Sequence, residues 1–161
     1  MSASASGCGT SNEGEATQAI VTIPAELMDG LREGVYRELC CVAESFTEAV
    51  QSHPGHPDVD LYQGYRVRVV AACGLLDRIG WSSQERVVAL SVHVSREGAI
   101  VVTSLRLARE ALIEELDRRV EESDAAEVPV IATQILSCTE RLTVLEPLVS
   151  GADDHTAGAY G

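Results

Sequence analysis

Four segments of this chain carry apolar residues at steps of three and four, and that spacing leaves few choices of fold. In the first, Leu27, Leu31, Val35, Leu39, Val42, Phe46 and Val50 fall on one face of a helix. At about 1.5 Å per residue the stretch is roughly 40 Å long. It stops before His53-Pro54-Gly55. In the second, Tyr65, Val69, Ala72, Leu76 and Ile79 trace a narrower seam, with Asp60 as the expected N-cap and Gly80 as a left-handed stop. The third stripe is Val101, Leu105, Ala108, Leu112, Leu116 and Val120, opened by Ser95 as cap. Glu114–Arg118 and Glu115–Arg119 stand on its opposite side as correctly ordered i,i+4 pairs. The fourth begins near Val128-Pro129 and runs Ile131, Ile135, Cys138, Leu142, Leu145, Val149, the most regular seam of all. Pro147 is expected to end or kink it.

Two shorter stretches read as extended. Gln18–Ile23 carries Ile20, Val21 and Ile23, and Pro24 after it suits the first position of a helix. In Val87–Val94 the residues Val88, Leu90, Val92 and Val94 alternate with Ala89, Ser91 and His93, a half-buried strand pattern. The favoured reading sends the chain from there into the third helix. A rival reading makes Val87–Val94 and Ala99–Leu105 a hairpin around Arg96-Glu97-Gly98, because Ile100–Thr103 is rich in β-branched residues.

Helices with one apolar stripe each bury those stripes against one another. The sequence therefore predicts a mainly α fold, an antiparallel four-helix bundle of two long and two shorter helices. The two extended pieces would form a small two-stranded cap at one end. Residues 1–16, built of Ser, Ala, Gly, Thr and Glu, read as a tail, residues 17–149 as one helical domain, and residues 150–161 as a second tail. No internal repeat shows in the sequence itself.

Charge narrows the function. The net charge is −13 over 161 residues, and all twelve basic residues are Arg. Nucleic-acid binding rests on releasing counterions from phosphates, which needs a basic face this chain lacks. The same charge opposes docking on anionic lipid. The longest apolar run, Val67–Leu76, is broken by Arg68 and falls short of a membrane span. With no Lys there is no Schiff-base, phosphate-loop or general-base lysine. Met1–Gly9 lacks an apolar stretch, so a cytoplasmic location, in a GC-rich bacterium by composition, is the expectation.

The side chains that carry chemistry are scattered. Cys8, Cys40, Cys41, Cys73 and Cys138 are odd in number and form no C-x-x-C, which argues against a disulfide framework or a zinc knuckle. Cys138 sits within a seam as a small hydrophobe. The loop His53–Asp60 gathers His53, His56 and Asp58, the only local cluster of metal-ligand types, though its spacing matches no recognised zinc site. No Glu has a His three residues on, which removes the di-iron bundle motif, and no G-x-S-x-G occurs. No cofactor is implied. Tyr62 and Trp81, at the two ends of the second helix, are the aromatic candidates for anchoring a partner. The expectation is a non-enzymatic interaction or oligomerisation module that works through an apolar helix face. The alternative is a small metal- or thiol-dependent protein using the His53–Asp60 loop or Cys40 and Cys41. A bundle with a ligand cavity between its helices is a third possibility.

Overall fold

A computed structural model describes residues 18–55, 58–81 and 87–157. The elements run β1 (Gln18–Ile23), α1 (Ala25–Ser52), α2 (Val59–Ile79), β2 (Val88–His93), α3 (Val94–Glu121) and α4 (Val128–Ala157). The fold is mainly helical with a two-stranded antiparallel sheet, as the stripes and the two extended pieces predict. The register pairs Gln18 with His93 and Ile23 with Val88. Val21, Ile23, Leu90 and Val92 point inward, while Ile20 is 76% exposed, the alternation a one-sided strand pair requires.

The hairpin alternative for 87–105 fails at Val94, where the chain turns into α3. Its Ser95 does not cap: His93 is the N-cap residue, and the Glu97 carboxylate accepts the His93 backbone N–H at 2.9 Å. Glu97 is buried against Arg78, whose guanidinium pairs with it at 2.5 Å. At the head of α2 the cap is Asp58 rather than Asp60, its carboxylate accepting the Leu61 N–H at 3.1 Å. Pro24 stands just outside α1 as its extended N-cap residue.

The helix lengths correct the expectation of two long and two shorter. Three are long, at 28, 28 and 30 residues, and only α2, at 21, is short. The cause is Pro147, which does not end α4. A proline within a helix loses one backbone bond and crowds the preceding turn, at about 3 kcal/mol. Leu145 before it is fully buried and Val149 after it packs on the core, so burial on both sides holds the turn helical. α4 thus continues to Ala157, through most of the stretch expected to be a tail. The N-terminal tail, residues 1–16, lies outside the described residues.

The core lies beneath the sheet, where Leu27, Leu31 and Val35 of α1 meet Leu75 and Leu76 of α2, Val101 and Leu105 of α3, and Leu142 and Leu145 of α4. α1 and α3 cross closely because small residues face each other: a Cβ added at Gly34 would lie 2.6 Å from the Ser104 Cβ, and one at Gly30 would lie 3.0 Å from the Ala108 Cβ. These pairs also show that the two helices run in opposite directions.

A repeat that the sequence conceals becomes visible here. The order β-α-α occurs twice. Buried Leu31 and Val35 correspond to buried Val101 and Leu105, and buried Ala72 and Leu75 to Leu142 and Leu145, each seventy residues on. Gly34 and Ser104, themselves seventy residues apart, touch each other, and the two strands pair about their own midpoint. The two units are therefore related by an approximate two-fold axis through the α1–α3 crossing and the centre of the sheet.

Candidate protein-docking face

Burial along α1 ends at Val42, and along α2 it begins only at Ala71. Between these limits the two helices form an arm in which no described residue is fully buried. Phe46 and Val50, placed on the packing stripe by spacing, are 37% and 43% exposed. Phe46 meets Tyr62 edge-to-face, with ring centroids 5.3 Å apart at 88°, and Tyr65 at 5.7 Å. These three rings and Val59, Val69 and Arg66 border an open groove of about 570 Å³.

The groove belongs to a longer face. Tyr36, Cys40, Ala43, Thr47 and Val50 form an outer strip on α1 at steps of four and three, and Val59, Gln63, Arg66 and Val70 form the matching strip on α2. Tyr36, Val59 and Val70 on these strips are all more than half exposed. Two adjacent helices presenting a second, outward heptad-like stripe resemble one half of a helix-packing interface. The polar groups are asymmetric: Glu44 and Glu48 border a hollow that shares Ala43 and Thr47 with the groove on the α1 side, whereas Arg66 lines the α2 side. None of these three forms an ion pair among the described residues.

Of the aromatic candidates, Tyr62 lines this groove. Trp81 does not: it lies beyond the other end of α2, 55% exposed, with its indole N–H donating to the Asp77 carboxylate at 2.7 Å. Seventeen residues of helix, about 25 Å, run from Tyr62 to the end of α2 at Ile79 before Trp81 is reached, so the two are not one anchor. The residue missed by sequence reasoning is Phe46, which the spacing assigned to the core. Its signal was the length of α1, whose stripe outruns that of its partner α2.

The metal-loop candidates do not assemble. His53 is exposed, Asp58 is engaged as the α2 cap, and His56 lies outside the described residues. No group of three or more His, Cys, Asp or Glu is placed to hold a metal ion among the described residues. Cys40 is half-buried and Cys41 exposed. Cys138 is fully buried with its Sγ 3.0 Å from the Leu105 carbonyl oxygen, and burial pushes its thiol above the ordinary range against the opposing charges of Arg109 and Arg141. A raised thiol is a poor nucleophile. No helix among the described residues is long and apolar enough to cross a membrane.

No family model, curated protein or solved structure is significantly similar to this chain.

Proposed function

We propose that this chain is a non-enzymatic protein-interaction module of a bacterial cytoplasm, built as an antiparallel helical bundle that docks another polypeptide on the outer α1–α2 face. The observation that carries the reading is the α1 stripe continuing past Val42 uncovered by the described residues, so that Phe46 and Val50, with Val59 and Val70 of α2 beside them, are exposed. Exposed apolar residues gathered on one face favour association, since burying them returns about 25 cal/mol for every Å² removed from water. The volume of the groove and its aromatic walls suit anchor side chains from a helix. Support from charge is indirect: a chain at −13 has little to offer phosphate backbones or anionic lipid.

The test is affinity capture at native abundance with the tagged wild-type chain, a Phe46→Asp variant and a Leu136→Asp variant as control on the other arm. Leu136 is 59% exposed, whereas Phe46 at 37% also packs on Tyr62 and Tyr65, so the melt of each variant is recorded beside its capture and Phe46→Asp is read at a temperature where it is folded. A partner retained by the wild type and the Leu136 variant but lost with Phe46→Asp supports the reading. Retention that ignores position 46 removes it.

A further inference from the structure

We infer that the occupant of this face is a second copy of the same chain, joined through a two-fold axis that runs along the α1–α2 arm. The inference rests on the docking reading above and names its partner. It follows from how the face is graded along its length.

Heights along the arm are fixed by cross-helix contacts. Phe46 meets Tyr62 and Tyr65, and Glu38 pairs with Arg68. By the same spacing Val50 stands level with Val59, Thr47 with Gln63, and Ala43 and Glu44 with Arg66. A two-fold axis along the arm lays α1 of one copy over α2 of the other and leaves every height unchanged. Each level then meets its own complement. Val50 faces Val59 of the other copy, apolar against apolar. Thr47 faces Gln63, both polar. The long Arg66 crosses over the small Ala43 and reaches the carboxylates of Glu44 and Glu48, which lack an ion-pair partner among the described residues within their own chain. Turning the axis across the arm would instead set α1 over α1, with Glu44 and Glu48 facing their own copies, and like charges directly opposed are unfavourable. Only the first arrangement satisfies charge and size together.

The interface is small. Two helices side by side are about 20 Å across, and the shared strips run for about 20 Å. That is a footprint of about 400 Å² on each copy, about 800 Å² in all, below the size of a stable dimer interface and in the range of weak, transient ones, so the association is reversible. The net charge of −13 on each copy weakens it further at low ionic strength.

Analytical ultracentrifugation of the full chain over a concentration series tests the proposal by charge exchange. The wild type should pass from monomer to dimer. Arg66→Glu alone, and Glu44→Arg alone, each set two like-charge pairs in a homodimer and should weaken dimerisation by about tenfold or more, roughly 1.4 kcal/mol per decade. Mixing the two variants should restore a dimer near wild-type strength. In the mixed pair the two substituted side chains, now of opposite charge, face each other on one side of the axis, and the native Glu44 and Arg66 face each other on the other side. Restoration on mixing cannot come from a fold defect in either chain. A wild type that stays monomeric throughout overturns the inference, as does a dimer indifferent to both substitutions. The docking reading fails separately: it falls only if Phe46→Asp leaves every captured partner in place, whatever the chain's own oligomeric state.

Discussion

The two arms of this molecule grow from one plan and end in opposite conditions. In the first, burial along α1 ends at Val42, and beyond it the α1–α2 seam leaves aromatic rings lining a groove open to solvent. In the second, Ile131 is buried near the tip and Cys138 is fully buried against the Leu105 carbonyl, although Val120 at the end of the α3 stripe is 59% exposed. Counterparts seventy residues apart show how this arises. Where the second arm has Cys138, the first has Arg68, which reaches out to Glu38; where the second has Leu116, the first has Phe46. The tips differ too. α3 closes in a Schellman turn, with the Asp124 N–H bonded to the Arg119 carbonyl and the Ser123 N–H to that of Val120. Glu115, Arg118, Arg119, Glu122 and Asp124 then lace that turn together. One arm uses more of its residues in its own packing and the other leaves more apolar surface open, which is why the proposed docking face lies on the first.

What the arms share should be the most sensitive point. A methyl group at Gly34 would stand 2.6 Å from the Ser104 Cβ and 2.8 Å from its Cα, so the α1 and α3 backbones must separate. Gly34→Ala should cost about 3 kcal/mol, the top of the overpacking range, despite the gain in helix propensity. Ser104→Gly in the same chain should recover part of that loss. Chemical denaturation checks both, and a single transition for the two arms is expected, since the crossing holds both units. Two separated transitions in the wild type would break the idea of a common core.

The sharpest comparison between the arms is one position in each. Ile131 is 6% exposed and its counterpart Leu61 is 42% exposed. Ile131→Ala should therefore destabilise by about 2–3 kcal/mol, and Leu61→Ala by less than about 1 kcal/mol. Equal costs, measured by urea unfolding, would mean that the first arm is not open.

Much of this fold was legible because helical and strand periods differ, and each stripe keeps its own. Val21, Ile23, Leu90 and Val92 alternate, while Leu142 and Leu145 step by three, so element type followed from spacing alone. Spacing marks a face but cannot say whether anything covers it. Phe46 and Val50 continue the stripe of Leu27 and Leu31 without a break, and only the tertiary arrangement shows that the cover ends at Val42. The repeat was hidden for a related reason. Its counterparts share burial rather than identity, as with Met28 and Gly98, or Leu27 and the buried carboxylate of Glu97. Pro147 misled because a local penalty was outweighed by packing at Leu145 and Val149.

The closed tip of the second arm offers a smaller effect of the opposite sign. Ser123 holds φ at 60°, the left-handed conformation that glycine adopts without strain, and it occupies the position after the helix cap where glycine is most common. Ser123→Gly should raise stability by about 0.5 kcal/mol, the relief of strain less the greater freedom of glycine in the unfolded chain. In the first arm the counterpart, His53, has φ −131°, and the positive φ of that turn falls on Gly55, already a glycine. A destabilised Ser123→Gly protein would show that the serine hydroxyl, rather than the turn, secures the tip.

The ion-pair lacing itself should matter least, although it is the most conspicuous feature of that arm. Hydrogen bonds from Arg118, then from Arg119, hold the Glu115 carboxyl below the usual carboxylate range. A depressed carboxyl stabilises the folded chain above its unfolded pKa, and that contribution fades as the pH falls through the lower, folded value. The groups face water, however, where screening and the entropy of long side chains take back most of the attraction. Glu115→Gln should therefore shift the melting temperature at neutral pH and low salt by an amount near the limit of detection. The difference from wild type should shrink in high salt and vanish in acid, where the carboxylate is protonated in both states. Thermal melts of the two proteins at paired salt concentrations would decide the point. A loss at Glu115 comparable with that at Ile131 would mean that charge, rather than the filled seam, keeps the second arm shut.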